Sequence, residues 1–265
     1  MVAPMLEPEI RGHYDEGVEL RRLSRGAGAL ELARTQDILR RHLPQSPATV
    51  LDVGGGPGIY AAWLNSLGYT VQLVDPVPSH VEEARRRSVN AEVGDARSLS
   101  AAPESADAVL LLGPLYHLTE RADRLLALRE AARVVRPGGL VFAVGISRFA
   151  SLLDGLRSHY LDDPAFRKIV DRDLRDGQHR NPENRPGWFT TAFFHHPDEL
   201  AREIVDAGLD LQRVVAIEGP LWLFPDLAWE DEGRRGRLLD GLRAIEEERS
   251  LMGASAHFMG IASRL

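Results

Sequence analysis

The sequence predicts an α/β protein with an open, mostly parallel, doubly wound sheet, and two observations support this fold class. Short apolar runs alternate with amphipathic stretches between residues 49 and 144. Apolar runs of four to six residues are typical of strands buried on both faces, and the intervening stretches are long enough for crossover helices. Prolines and glycines stand where those helices should begin or end. The chain is therefore predicted to form successive strand–helix–strand units.

The pattern also predicts the individual elements. Pro57 stands at the start of the first crossover helix, Gly68 at its end, and Ser79 is expected to cap the second. Helices are expected at residues 60–67, from 79 onward, at 121–135, after 197 and at 234–249. Strands are expected at residues 49–53, 71–75, 91–93, 107–112, 140–144, 211–218 and 257–265.

Composition excludes several classes of protein. The 265 residues include no cysteine, so disulfides, thiolate metal sites and cysteine nucleophiles are excluded. Acids outnumber bases by 39 to 32, which disfavours a nucleic-acid substrate. No apolar run is long enough to cross a membrane and no basic leader is present, so a cytoplasmic protein is expected. Lys168 is the single lysine, which makes Schiff-base chemistry a weak hypothesis.

The candidate site begins at a glycine-rich turn after the first strand. Gly54, Gly56 and Gly58 follow Asp52 in the segment VLDVGGGPGIY. Such a turn at the start of a helix lets a ligand lie against bare backbone, with N–H groups to receive it. The dinucleotide spacing GxGxxG would need glycine at the position of Ile59, so that fingerprint is incomplete. A tight strand-to-helix connection without a ligand is the alternative interpretation.

Two further acids follow strands two and three. Asp75 ends the second strand, where a carboxylate can accept both hydroxyls of a ribose. Asp95 follows the third strand. The alternatives are a solvated turn acid for Asp75 and a helix cap or turn residue for Asp95.

These segments, together with DAVLLLGPLYHL and RVVRPGGLVFAV, resemble the class I S-adenosylmethionine-dependent methyltransferases of the bacterial small-molecule type. The resemblance covers residues 48–145 and 190–265. It implies a Rossmann-like seven-stranded sheet of order 3-2-1-4-5-7-6, with an antiparallel seventh strand. It also implies S-adenosyl-L-methionine as cofactor and S-adenosyl-L-homocysteine as product.

The resemblance assigns roles to particular positions. The acid before the turn and the turn glycines would hold the methionine part of the cofactor, the acid of strand two its ribose, and the acid after strand three its adenine. The cofactor-binding residues implied in this way are Asp52, Gly54, Gly56, Gly58, Asp75, Pro76, Asp95, Ala96, Leu112 and Gly113.

One domain is predicted, because the chain has no repeat and no linker. Within residues 1–265, residues 1–45 are expected to form an N-terminal helical cover and 48–145 the cofactor-binding core. Residues 147–190 are expected to form an insertion between strands five and six that caps the substrate, and 191–265 the C-terminal part of the sheet.

Candidates for a catalytic base are histidines, tyrosines and acids. His117 comes first because it directly follows strand four, although a packing role is the alternative. His13 and Tyr14 come next, in a segment that resembles the family's N-terminal cover, with a surface role as the alternative. His195 and His196 precede Pro197 and are expected to begin a helix; His159 and His179 also lie in or near the insertion.

Aromatic residues cluster around the end of the insertion and after strand six. They are candidates for an apolar acceptor pocket, or they attach the insertion to the core. Arg21, Arg22 and Arg34 could bind a carboxylate or lie on solvated helix faces. The predicted substrate-pocket residues are Tyr116, Trp188, Phe193 and Trp222.

The sequence thus predicts direct, in-line methyl transfer to a small-molecule acceptor, with oxygen or nitrogen favoured over carbon. No metal, nucleic acid or membrane partner is expected, and the protein should be a monomer or homodimer. The alternatives are an RNA or protein methyltransferase, a catalytically silent cofactor-binding regulator or partner subunit, and a nicotinamide oxidoreductase.

Overall fold

The computed structural model describes residues 23, 26–224, 227, 229 and 231–265. Its strands are β1 (Thr49–Val53), β2 (Thr70–Asp75), β3 (Asn90–Val93), β4 (Ala106–Leu111), β5 (Val135–Ser147), β6 (Gln178–His179), β7 (Ala192–His195), β8 (Asp210–Ala216) and β9 (His257–Ser263). Its helices are α1 (Gly26–His42), α2 (Ile59–Ser66), α3 (Pro78–Arg86), α4 (Pro114–His117), α5 (Arg121–Val134), α6 (Ala150–Arg157), α7 (Pro164–Asp176), α8 (Pro197–Asp206), α9 (Glu232–Ile245) and α10 (Arg249–Met252). Turns of 3-10 helix occupy Tyr160–Asp162 and Gly219–Leu223.

The sheet confirms the predicted strand order. β1 to β5 are parallel in the order β3-β2-β1-β4-β5, and β9 is inserted antiparallel between β5 and β8. Because β8 and β9 are the expected sixth and seventh strands, this arrangement is the order 3-2-1-4-5-7-6. Two short strands are additional: β7 pairs in parallel with the end of β5, and β6 pairs with β7.

The strand directions bring distant segments to one edge of the sheet. The carboxyl ends of parallel strands lie at the same edge, so β1, β2, β3, β4 and β5 all end there. β9 runs antiparallel to both β5 and β8, and His257 is in register with Ile146 while Phe258 is in register with Ala216. The start of β9 and the end of β8 therefore lie at the same edge.

Local chemistry at two helix starts differs from the sequence prediction. α2 begins at Ile59, and Gly58 precedes it with φ +79°, so Pro57 lies in the turn rather than in the first helical turn. Ser79 does not cap α3, because the helix begins one residue earlier at Pro78 and Val77 occupies the capping position. Proline at the first helical position needs no N–H partner and has a helical φ, which favours this earlier start.

The core consists of two apolar layers, one on each face of the sheet. Leu110 and Phe142 are fully buried in one layer, and Val109 and Leu128 in the other. Burying a side chain of this size stabilises the fold by about 1.5 to 3 kcal/mol. Such a core holds the loops at the carboxyl edge on a rigid scaffold.

Helix α1 is attached to the C-terminal half by a buried ion network. Arg34 has no exposed surface; it donates to Asp37 at 2.6 Å, to Glu246 at 2.7 Å and to the carbonyl of Ile217 at 2.9 Å. It therefore neither binds a ligand carboxylate nor lies on a solvated face, the two roles expected for it. Arg21 and Arg22, like most of the predicted N-terminal cover, lie outside the described residues. Within the described part of the chain, no helix is long and apolar enough to cross a membrane.

Candidate functional site

A cavity of about 240 Å³ opens at the carboxyl edge of the sheet. The ends of β1, β2 and β4, the segment after β3, and part of α1 all contribute to its wall. Most residues implied by the sequence therefore meet in one place. Those that line the cavity are Asp52, Gly54, Gly56, Asp75, Pro76, Asp95, Ala96, Leu112, Gly113, Tyr116 and His117.

The glycine turn is shaped by close approach to the neighbouring loop. Gly54 has φ +67°, and a Cβ atom there would lie 2.9 Å from Cδ of Pro114. Gly56 has φ +55° and also lines the cavity. Because side chains disfavour positive φ and the Pro114 ring leaves no room, glycine is required at position 54. The backbone is consequently bare where it faces the cavity.

Asp52 is a buried carboxylate without a hydrogen-bond partner in the part of the chain that the structure describes. The residue has no exposed surface, and neither of its side-chain oxygens has a hydrogen-bond partner among the described residues. Burial raises the pKa of Asp52 to about 7, and the negative charge of nearby Asp75 adds to the effect. A Cβ atom at Gly55 would lie only 2.6 Å from Oδ2 of Asp52, so glycine makes room for this carboxylate. A cationic ligand group is the partner that such a site lacks.

Asp75 is held in place by the backbone of the turn. Its Oδ2 accepts a hydrogen bond from the N–H of Gly56 at 2.8 Å, and its Oδ1 accepts one from Val77 at 2.9 Å. Nδ1 of His80, on α3, lies 3.2 Å from the same Oδ1. His80 also lines the cavity, although no sequence pattern indicated it. The Asp75 carboxylate thus links the turn, β2 and α3 beside the cavity.

Asp95 is bound by a neighbouring arginine. Arg97 donates to it from the backbone N–H at 2.8 Å and from the guanidinium at 2.6 Å, and also donates to Asp123 at 2.8 Å. Burial alone would raise the pKa of Asp95, but the hydrogen bonds and charge of Arg97 hold it below its ordinary value. Asp95 is therefore ionised and paired with Arg97. Arg97 also lines the cavity, although no sequence pattern indicated it.

Aromatic rings form one end of the cavity. Tyr116 and His117, on α4, have ring centroids 4.8 Å apart in an edge-to-face arrangement. Phe189, in the segment before β7, stacks on His117 at 6.0 Å and lies 6.4 Å from Tyr116. The backbone at Phe189 has φ +60°, and its carbonyl accepts from the side chain of Asn181 at 2.8 Å. The insertion thus packs an aromatic ring against the two rings at this end of the cavity, and that ring is neither Trp188 nor Phe193.

Four predicted site residues lie away from the cavity lining. Gly58 packs instead against Ala84 of α3, 3.0 Å from the position of an added Cβ. Each of the predicted pocket aromatics outside α4 is buried in a packing contact: Trp188 lies 5.1 Å from the ring of Phe166, Phe193 lies 3.6 Å beneath the guanidinium of Arg124, and Trp222 donates to the carbonyl of Ala254. Trp188 thus packs within the insertion, Phe193 packs against the core helix α5, and Trp222 joins two segments of the C-terminal part.

The other histidines are placed differently. His195 is fully buried, 3.2 Å from Glu203, and burial lowers its pKa. His196 begins α8 in a reciprocal capping arrangement with Glu199, as expected. The remaining base candidates, His13 and Tyr14, lie outside the described residues and stay predictions.

The fold and the residues at the carboxyl edge of the sheet together define a class of protein. It is a doubly wound α/β protein whose glycine turn and two carboxylates suit a nucleoside cofactor with a charged tail. A family profile described as "Methyltransferase domain" matches residues 51–143. A ubiquinone biosynthesis O-methyltransferase from Thiobacillus denitrificans is 30% identical over 183 residues, or 66% of this chain and 69% of the relative. The chain belongs to the class I S-adenosylmethionine-dependent methyltransferases.

Other comparisons agree on the family. Ubiquinone biosynthesis O-methyltransferases from Methylocella silvestris and Methylobacterium sp. strain 4-46 are 30% and 33% identical, and the alignments span 53% and 58% of their lengths. The chain thus spans little more than half the length of these two relatives. A SAM-dependent methyltransferase structure from Methanosarcina mazei has a TM-score of 0.59 and 20% identity, covering 86% of this chain and 97% of that one. This likeness concerns the fold.

The cavity fits the family's cofactor, S-adenosylmethionine. The unpartnered Asp52 carboxylate suits the ammonium of the methionine part, and the bare turn at Gly54 and Gly56 offers backbone to the same part. Asp75 lies where a ribose would be recognised. These assignments to individual residues remain proposals.

Proposed function

We propose that this protein transfers the methyl group of S-adenosylmethionine directly to an oxygen atom of a small-molecule acceptor, with nitrogen as the second choice. The observation that carries the proposal is the single-cavity arrangement at the sheet edge. The cofactor-type groups Asp52 and Asp75 lie in the same cavity as the aromatic end formed by Tyr116 and His117. The O-methyltransferase relatives favour oxygen over nitrogen.

The cofactor, when bound, supplies an electrophilic methyl group on a sulfonium. The chain's own residues have three tasks: to orient the acceptor, to exclude water and to take up a proton. Tyr116 and His117 line the cavity and offer ring surface to an acceptor, and Phe189 packs against both rings. No cysteine exists to carry the methyl group covalently, so a direct transfer is proposed.

The charge distribution supports a small acceptor over RNA. The chain has a net charge of −7, and many of the described arginines are paired with carboxylates, as Arg97 is with Asp95 and Arg243 with Asp37. Paired arginines contribute little positive field to attract a phosphate backbone. A small acceptor enclosed at the sheet edge agrees better with this balance.

The test is formation of S-adenosylhomocysteine, measured by mass spectrometry with a panel of phenols, aliphatic alcohols and amines, with tRNA and a peptide library as separate arms. The expected result is turnover with one or more small hydroxyl compounds. Asp75→Ala should reduce it strongly, and the matched control Asp240→Ala, an exposed acid on α9, should not. Turnover with tRNA or peptides alone would overturn the choice of acceptor, and tight cofactor binding without turnover on any arm would favour a silent binding protein.

A further inference from the structure

A second group of titratable residues lies beside the cavity, apart from those assigned to the cofactor or the acceptor. It consists of Glu31 on α1, Glu218 after β8 and His257 at the start of β9. One carboxylate oxygen of each glutamate and one ring nitrogen of His257 all lie within 4.8 Å of one another. Glu31 lines the cavity, as does Ile217, the residue before Glu218. The antiparallel pairing of β9 with β8 brings these sequence-distant groups to the edge where the cavity opens.

Glu218 is a fixed, ionised carboxylate. It is 1% exposed, and its Oε1 accepts from Nδ1 of His257 at 2.6 Å. Its Oε2 accepts from the backbone N–H of His257 at 2.9 Å, and the Ser255 hydroxyl lies 3.0 Å from the same oxygen and 2.6 Å from the carbonyl of His257, sharing its one proton between them. Burial would raise the pKa of Glu218, but the charge that His257 carries when protonated and the hydrogen bonds from its ring and backbone hold that pKa below its ordinary value. Every oxygen of this buried carboxylate thus has a partner, and two of those partners belong to one histidine.

The Ser255 hydroxyl also binds the backbone that carries Glu218. Its oxygen accepts from the N–H groups of Glu218 at 3.1 Å and Gly219 at 3.0 Å. The loop before β9 and the loop after β8 are thereby joined at the carboxylate. Such support fixes the orientation of the His257 ring, as an orienting acid does for a catalytic histidine.

The orientation of His257 defines which nitrogen can act. Because Nδ1 donates to an ionised carboxylate, the neutral ring carries its lone pair on Nε2. The ring is partly buried, and its centroid lies 6.5 Å from that of Tyr116, which lines the cavity. Among the described residues, the charged or titratable groups recorded around it are Glu218, Glu31 and Tyr116. The pair therefore has the arrangement of a general base and its orienting acid.

We propose that His257, oriented by Glu218, accepts the proton that the acceptor's hydroxyl group loses during methyl transfer. The inference rests on the proposed function. In the step, a bond forms between the hydroxyl oxygen and the methyl carbon while the carbon–sulfur bond breaks and its electron pair stays on sulfur. The O–H proton passes to Nε2 of His257, and solvent later removes it. No oxidant, reductant or further reactant is required.

His257 has a buried carboxylate at hydrogen-bond distance, which fixes its tautomer and stabilises the imidazolium that forms. His117, whose ring contacts those of Tyr116 and Phe189, is the rival candidate for the base.

The first arm of the test needs no turnover. Nitrogen-15 NMR of the histidine side chains, with the S-adenosylhomocysteine complex of the full chain, should show the neutral His257 ring protonated at Nδ1. Glu218→Gln should redistribute the proton between the two ring nitrogens. The control Glu247→Gln changes an exposed glutamate just after α9 and should leave the spectrum unchanged. A wild-type ring protonated at Nε2 would overturn the proposal.

The second arm uses the acceptor found in the turnover screen. His257→Gln should lower kcat by about 10²- to 10⁴-fold while the Kd for S-adenosylhomocysteine changes less than about threefold. His117→Gln should lower kcat by less than His257→Gln. If the wild type is active and His257→Gln keeps the same kcat, this inference is overturned and the proposed function stands. If the wild type turns over no acceptor, both the proposed function and this inference are overturned. Loss of activity on treatment with a chelator, restored by Mg²⁺ in the wild type but not in His257→Gln, would identify the group as a cation site and overturn the base role.

Discussion

The buried carboxylate of Asp52 makes a quantitative prediction about stability. The pKa of Asp52 is raised from 3.8 to about 7, a difference of about 3 units, and each unit corresponds to about 1.36 kcal/mol. Because the folded-state pKa is higher than the unfolded one, the contribution to stability is fully present below pH 3.8 and is lost as the pH rises through 7. In the cofactor-free protein, this residue should therefore cost about 4 kcal/mol of unfolding free energy by pH 8.

Asp52→Asn removes the titration and keeps the shape of the side chain. Any cost of burying the amide is independent of pH, so the difference in unfolding free energy between variant and wild type should move by about 4 kcal/mol in favour of the variant from pH 4 to pH 8. Urea unfolding at several pH values, followed by tryptophan fluorescence, measures this difference. The exposed control Asp240→Asn should show little pH dependence of its own. A difference for Asp52→Asn that stays constant over this range would refute the assigned burial and its pKa.

Three further predictions concern the turn, the ion network and the aromatic end of the cavity. Gly54→Ala should abolish measurable S-adenosylhomocysteine binding because its Cβ meets Pro114, whereas Gly138→Ala, also at positive φ but with open space around it, should bind normally in calorimetry. Arg34→Met should lower the free energy of unfolding by about 1 to 3 kcal/mol because the buried carbonyl of Ile217 loses its donor while Asp37 and Glu246 keep their other arginine partners, and an unchanged free energy of unfolding in urea would contradict the network. His117→Ala should reduce turnover and cofactor affinity by similar factors, as a packing residue would; a loss confined to kcat would make it a base.

Much of the fold followed from local patterns. Apolar runs bounded by turn residues predicted the strands β1 to β5, β8 and β9 but not the short strands β6 and β7, and the resemblance supplied the order. The cofactor-type residues were predictable because each follows its own strand, and parallel strands end at one edge. Asp52 and Asp75 meet at the cavity for that reason.

Two predicted pocket residues, Trp188 and Phe193, show that a sequence pattern does not indicate which surface an aromatic side chain packs against. Trp188 and Phe193 are close to Phe189 in the chain, yet only Phe189 faces the ring of His117. Aromatic composition indicates burial, but it does not tell which of two packed surfaces a ring joins. Contacts between segments distant in sequence, such as the stacking of Phe193 in β7 under Arg124 in α5, decided the outcome.

The pair Glu218 and His257 could not be found from spacing. The two residues are 39 positions apart, and α9 and α10 lie between them. They meet because β9 reverses direction beside β8, a pairing that becomes informative only when the whole sheet is known. Once the strand order is known, the pair becomes predictable. Glu218 follows β8, and His257 begins the antiparallel strand β9 beside it.

Calorimetric titration with S-adenosylhomocysteine tests the central claim most directly, because it asks whether the sheet-edge cavity holds the family's cofactor. The wild type should bind one equivalent, more tightly than NAD. Asp75→Ala should weaken binding by about 1 to 3 kcal/mol, which is roughly 5- to 150-fold, through loss of charge-assisted hydrogen bonds and of support for the turn. A wild type that releases no heat with S-adenosylhomocysteine, or an Asp75→Ala variant with unchanged affinity, would contradict the placement of the cofactor at this edge.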